Sequence, residues 1–92
     1  NALEYLHKSL ETMKKSLPVG HPSLAISYGN IGMVYHSMNE YDKALEYFHK
    51  SLEIFAKTLP SNHETIKILK KNIETLRSHI SSSLHFVINK NK

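Results

Sequence analysis

A ten-residue string occurs twice in this chain. The string ALEYLHKSLE begins at Ala2, and ALEYFHKSLE, which differs in one letter, begins at Ala44, so the copies start 42 residues apart. The same offset relates Lys15 to Lys57, Leu17 to Leu59, Pro18 to Pro60, His21 to His63, Ile26 to Ile68, Asn30 to Asn72 and Ile31 to Ile73. Repeated units of this length fold by stacking, because one unit cannot bury its own apolar face.

Each unit has the apolar spacing of two helices. Between residues 22 and 38 the large apolar side chains recur every three or four positions, which is the pattern of one helix face. A second periodic segment covers residues 41–59, and Pro60 ends it. The polar dipeptide at residues 39–40 is long enough only for a tight connection. The sequence therefore predicts antiparallel helix pairs.

We predict an all-α fold, an α-solenoid of antiparallel helix pairs that ends in a C-terminal capping helix. The predicted parts are the second helix of a truncated unit (residues 1–17), a complete unit (22–59), the capping helix (64–84) and a tail (85–92). The capping helix is predicted from Lys70, Glu74 and Arg77, which stand where the preceding copy has Tyr, Gly and Tyr. A charged outer face is typical of a terminal helix on which nothing stacks.

The complete unit has a characteristic spacing of small and aromatic residues. Tyr28-x2-Ile31-Gly32-x2-Tyr35 is followed by Ala44-x3-Phe48 and, later, by a proline. This arrangement resembles the tetratricopeptide repeat pattern. The 42-residue period and the strings LP-x-x-HP and Y-x-N-I-G-x-V-Y are similar to the repeats of kinesin light chains and nephrocystin-like proteins. The predicted repeat-packing residues are Tyr28, Ile31, Gly32, Tyr35, Ala44 and Phe48.

The inner curve of such a solenoid is lined by the first helix of each unit, and it is the predicted peptide-binding surface. The predicted contact residues are Ile26, Asn30, Met33 and Ser37 on one first helix, and Asn72, Thr75 and His79 on the next. An asparagine amide offers both donors and an acceptor, which suits contact with a peptide backbone. The family resemblance implies the same role for Asn30 and Asn72. The alternative is that these two side chains bridge neighbouring helices.

No pattern in the sequence indicates catalysis or metal binding. None of the seven histidines has another histidine four residues away, and Lys67 stands where the second histidine of an H-E-x-x-H motif would follow His63. The chain has no cysteine, no glycine-rich phosphate loop and no G-x-S-x-G turn. We therefore expect no catalytic residue, no metal and no cofactor, and we predict that these residues are not an enzyme.

The expected partner is a protein or peptide held by an adaptor or scaffold. The net charge of +4 is spread over scattered lysines, so nucleic acid is not expected as a partner. No apolar run approaches about 18 residues, so no membrane span is expected. The absence of cysteine and of N-x-S/T sequons favours the cytoplasm. Two alternatives stay open: a basic surface around Lys70, Lys71, Arg77 and Lys90 that binds RNA or acidic lipid, and an array that orders a catalytic domain elsewhere in a longer protein.

Overall fold

Four α-helices follow one another in the computed structural model, which describes the backbone of residues 2–90 and the side chains of residues 2–80. They are α1 (Ala2–Ser16), α2 (Pro22–Ser37), α3 (Tyr41–Thr58) and α4 (Glu64–Lys90). Each helix packs on the next in chain order, and the Cα atoms extend over 53 × 34 × 16 Å, so the array is a single layer of helices. The predicted all-α helical repeat is confirmed.

The loops that precede α2 and α4 have the same hydrogen bonds. Nδ1 of His21 accepts from the backbone N–H of Ser23 at 3.0 Å, and Nδ1 of His63 accepts from that of Thr65 at 3.1 Å. The backbone N–H of each histidine also donates to the carbonyl of the proline three residues earlier. Each histidine therefore pairs a helix N–H group that has no partner within the helix itself.

Helices α2 and α3 approach closely at a pair of small residues. A Cβ atom at Gly32 would lie 3.1 Å from two carbon atoms of the Phe48 ring and 3.3 Å from the carbonyl oxygen of Ala44. Nearby, the buried Ser51 hydroxyl donates to the carbonyl oxygen of Ala25 at 2.7 Å. A side chain at position 32 would therefore crowd the Phe48 ring and the Ala44 carbonyl, which would have to move by a few tenths of an ångström to admit it.

The buried apolar side chains form two clusters that meet at α2 and α3. The first joins α1 to α2 through Leu10, Leu24 and Ile31. The second joins α2, α3 and α4 through Ala25, Ala44, Phe48, Phe55, Ile66, Leu69, Ile73 and Leu76. The two clusters share the partly buried Tyr35 and Ile54 as neighbours, so consecutive units are joined through adjoining cores, as expected for stacked repeats.

Helix α4 is longer than predicted. The sequence led us to expect its end near Leu84 and a tail over residues 85–92, whereas the helix continues to Lys90. Residues 64–90 contain neither glycine nor proline, so no residue in that stretch opposes helix continuation strongly. Residues 91 and 92 lie outside the described part of the chain.

The face of α4 that corresponds to the α3-packing face of α2 is charged. In α2 that face consists of Ala25, Tyr28, Gly29, Gly32 and Tyr35. The positions 42 residues later are Lys67, Lys70, Lys71, Glu74 and Arg77, and all five side chains are exposed. We call these five residues the charged outer face of α4. A further helix packed here would bury unpaired charges, so this face is unsuited to another repeat.

Overpacking the contact between α2 and α3 should destabilise the chain. We expect Ala44→Leu to lower the free energy of unfolding by about 1–3 kcal/mol, because Ala44 is fully buried and its carbonyl faces Gly32. Thermal melting followed by circular dichroism measures the change. The control is Ala56→Leu on the exposed side of the same helix, which should leave the melting temperature nearly unchanged. Equal melting temperatures for both variants would contradict the prediction.

Candidate functional site

An open groove of about 490 Å³ lies between the first helices of successive units, α2 and α4. Among the described residues, no Cα atom of α2 lies within 8 Å of one in α4, so α3 separates the two helices and forms the floor. The groove is lined by Ala25, Ile26, Gly29, Asn30 and Met33 of α2, Phe48, Ser51 and Phe55 of α3, Leu59 and His63 of the following loop, and Thr65, Ile68, Leu69 and Asn72 of α4.

The two walls present equivalent residues of successive repeats. Ile26 on α2 and Ile68 on α4 occupy the same repeat position, and their side chains are 55% and 53% exposed. Asn30 and Asn72 form a second equivalent pair along the same walls. In the described part of the chain, neither asparagine amide hydrogen-bonds to another protein atom. The walls therefore offer apolar surface and unpaired amide groups at repeated positions.

The floor of the groove is apolar. Phe48 and Phe55 are buried between α2 and α4. Ser51 is the polar residue of the floor, but its hydroxyl already donates to the carbonyl of Ala25. A Cβ atom at Gly29 would lie 3.5 Å from the Ser51 oxygen, so α2 approaches the floor closely there. The Ser51 hydroxyl is therefore not available to donate a hydrogen bond to a ligand.

The lining of the groove carries no formal charge. It contains no aspartate, glutamate, lysine or arginine, and its one titratable side chain is His63 at the loop end. A charged ligand group placed inside would lose hydration without meeting an opposite charge. The groove therefore favours a neutral segment with apolar side chains.

The structure separates the predicted peptide-contacting residues into two sets. Ile26, Asn30, Met33 and Asn72 line the groove. Ser37, Thr75 and His79 do not, although they continue the same helix stripes. The Ser37 hydroxyl donates to the carbonyl of Met33 at 3.2 Å, the Thr75 hydroxyl donates to that of Lys71 at 3.0 Å, and the His79 ring stacks on the Tyr41 ring with centroids 5.2 Å apart. These three groups already have contacts within the protein.

Leu59 and His63, which close the loop end of the groove, were not predicted as binding residues from the sequence. There His63 was considered only as a repeated residue and a possible metal ligand, and Leu59 only as a repeated residue. The sequence held one usable signal: the α3–α4 loop must pass from the floor helix to the wall helix, so its residues border the space between them.

The predicted repeat-packing residues lie away from the groove opening. Ile31, Gly32, Ala44 and Phe48 are buried between helices. Tyr28 and Tyr35 contact the Tyr47 ring of α3, with centroid distances of 6.1 Å and 5.6 Å.

Lysine side chains cover this aromatic cluster. Lys43 lies 5.5 Å from the centre of the Tyr35 ring, and Lys50 lies 5.0 Å from that of Tyr47. Burial raises the pKa of the Tyr47 phenol, and the neighbouring phenols and the Glu46 carboxylate raise it further. A tyrosine phenol is already neutral at physiological pH, and this shift extends its neutral form to higher pH.

The described part of the chain contains neither a metal-binding cluster nor a membrane-spanning helix. There, no group of three or more histidine, aspartate or glutamate side chains is placed to hold a metal ion. No helix within the same residues combines the length and the apolar character needed to cross a bilayer.

The sequence comparisons agree with the architecture. The family model described as tetratricopeptide repeat matches residues 1–57, which is more than half of the chain and covers α1, α2 and nearly all of α3. No curated protein matches the sequence. The family is a non-catalytic repeat module that generally mediates protein–protein interaction. With its stacked helix pairs and this match, the chain belongs to the tetratricopeptide repeat family.

Proposed function

We propose that this chain is a protein-interaction module and that the groove between α2 and α4 binds a neutral, apolar segment of a partner protein. The observation that carries the proposal is the clustering of exposed apolar side chains. Six large apolar side chains are exposed in the described residues, namely Tyr5, Val19, Ile26, Met33, Met38 and Ile68, and three of them line this one groove. Apolar side chains that gather in one groove typically mark a binding site.

The polar groups of the groove support a peptide rather than a purely apolar ligand. Asn30 and Asn72 each carry two N–H donors and one carbonyl acceptor, and both lie on the walls beside the isoleucines. A peptide backbone has the complementary donors and acceptors at every residue. The repeat therefore offers a peptide the same two kinds of contact, an isoleucine and an asparagine, on both walls of the groove.

The finer assignments of the sequence stay proposals. We propose that residues 22–59 form one complete unit, that residues 1–17 are the second helix of the unit before it, and that residues 64–84 lie in the capping helix. We also propose that the 42-residue unit is of the kinesin-light-chain-like and nephrocystin-like kind. The cytoplasmic location remains a prediction.

Selection of peptides from a defined library tests the proposed function. The purified chain is screened against fluorescein-labelled decapeptides in which apolar residues alternate with Ser, Thr or Asn, and against a companion library with Glu or Lys at every third position. We expect the neutral library to supply the tighter ligands. The best binder then becomes the probe for variants.

Two variants of matched exposure locate the bound peptide. Ile68 on the groove wall and Met38 outside the groove are 53% and 54% exposed, so neither contributes much to the core. We expect Ile68→Glu to weaken probe binding at least about tenfold, because it places a charge in the neutral groove, and Met38→Glu to leave it unchanged. Equal effects of the two variants, or tighter binding by the charged library, would contradict the proposal.

The charged outer face of α4 supports a rival function. No carboxylate among the described residues pairs with its four cations, whereas Lys43, Lys50 and Lys57 around α3 each pair with a glutamate three or four residues earlier. Glu74 lies within this face and weakens its attraction for a polyanion. Binding of RNA or of phosphatidylserine vesicles that the peptide probe does not displace would favour the rival.

A further inference from the structure

The His63 ring has one nitrogen committed to the protein. Its Nδ1 atom accepts from the backbone N–H of Thr65 at 3.1 Å. A neutral imidazole has one acceptor nitrogen and one N–H nitrogen, so an accepting Nδ1 requires the proton on Nε2. The helix cap therefore fixes the tautomer, and Nε2 is an N–H donor.

This donor lies at the loop end of the groove. His63 lines the groove beside Leu59, Thr65 and Ile68, and its side chain is exposed. In the described residues, no protein atom accepts a hydrogen bond from Nε2. His21 makes the same cap on α2 but does not line this groove. The repeat thus supplies two equivalent histidines, of which only one can meet a ligand of the groove.

We infer that His63 is a specificity-determining residue, whose Nε2–H donates to a backbone carbonyl oxygen of an extended, uncharged peptide segment in the groove. The inference rests on the proposed function. A helical ligand uses most of its carbonyls within its own helix, whereas an extended segment leaves them available. A terminal carboxylate is disfavoured, because the lining contains no lysine or arginine to compensate its charge.

Nuclear magnetic resonance measures the tautomer without any ligand. Long-range ¹H–¹⁵N correlation at pH 8 distinguishes an imidazole protonated on Nε2 from one protonated on Nδ1. We expect the Nε2–H form for His63 and for His21. A predominant Nδ1–H form of His63 would overturn the inference, because Nε2 would then be an acceptor.

Two substitutions separate the cap from the donor. His63→Asn keeps an acceptor near the position of Nδ1 and loses the atom that corresponds to Nε2. His63→Gln carries an N–H group farther from the backbone and loses the cap. The selected neutral decapeptide is the probe. We expect the His63→Asn variant to keep the melting temperature of the unmodified chain and to bind the probe roughly three- to tenfold more weakly than that chain does. We expect the His63→Gln variant to have a lower melting temperature and to retain most of its affinity for the probe.

His21→Asn is the matched control for the first variant. It makes the same exchange in the equivalent loop, and we expect neither the melting temperature nor the binding to change. Probe binding that survives His63→Asn at full strength, or that falls equally in His21→Asn, would overturn the inference while leaving the proposed function standing. If neither decapeptide library binds the unmodified chain, the proposed function itself is wrong, and the inference is overturned with it.

Changes in the peptide identify the acceptor. Each amide of the probe is replaced in turn by a thioamide, whose sulfur is a weaker acceptor than oxygen. We expect one position at which the replacement weakens binding to the unmodified chain but not to His63→Asn, which is the coupling that a direct contact gives. Tighter binding of a peptide with a free terminal carboxylate, or of a stapled helical version, would overturn the assignment of an extended neutral carbonyl.

Discussion

Replacing Asn30 and Asn72 together by alanine is expected to weaken peptide binding at least about tenfold while leaving the fold intact. Each amide offers hydrogen-bonding groups on a groove wall, and neither is used by another protein atom in the described residues. Two such hydrogen bonds, at about 0.5–1.5 kcal/mol each, contribute about 1–3 kcal/mol together, and the middle of that range, about 2 kcal/mol, corresponds to a roughly 30-fold loss of affinity.

The same variant distinguishes a binding role from a structural one. If the asparagine side chains bridge helices, as the sequence left open, the double variant should lose several degrees of melting temperature. If they face the ligand, circular dichroism and melting should hardly change. Asn62→Ala, at an exposed loop position outside the groove, is the control for binding. A folded double variant that binds the probe at full strength would place the binding surface elsewhere, with the charged outer face of α4 as the next candidate.

The largest loss of stability is expected from Phe48→Ala. The Phe48 side chain is 2% exposed, its ring contacts the Gly32 position, and it belongs to the cluster that joins α2, α3 and α4. Truncation of a buried phenylalanine typically costs about 3–5 kcal/mol through lost burial and the cavity that remains. A chain of this size has a total stability of only about 5–14 kcal/mol, so the variant should be close to unfolding at 37 °C.

Chemical denaturation measures this loss directly. The midpoint should fall steeply for Phe48→Ala, whereas Met38→Ala, at a side chain that is 54% exposed, should change the free energy of unfolding by less than about 0.5 kcal/mol. If Phe48→Ala lowers the free energy of unfolding by less than about 1 kcal/mol, the packing of α2, α3 and α4 does not depend on this ring.

Much of the fold follows from the sequence, because the 42-residue offset shows which residues of the two repeat copies are equivalent. The fixed offset pairs Asn30 with Asn72, and a common helical period places such residues on equivalent stripes. The end of α4 was harder to predict, because the stretch after Leu84 contains no residue that stops a helix.

The candidate groove was only partly predictable from the sequence. The helical period predicts the face of a helix on which a side chain lies. It does not predict how far along the helix axis the groove between two helices extends. Ser37 and His79 share the stripe of the asparagines and nevertheless lie outside the groove. His63 lies inside it because a loop passes the groove end, and loop position depends on tertiary packing rather than on period.

The charged outer face of α4 gives the array a single direction of growth. If a copy of the 42-residue unit were added after α4, it would have to pack against the lysine, glutamate and arginine side chains of this face. A copy inserted before α4, in register with the histidine-capped loops, would instead stack on the apolar face of α3 and present its own apolar face to α4. Each insertion would also add one first helix, and with it a further wall that carries an isoleucine and an asparagine. Gene duplication, or a protein engineer, could therefore add groove walls in whole-repeat steps while α4 is kept unchanged.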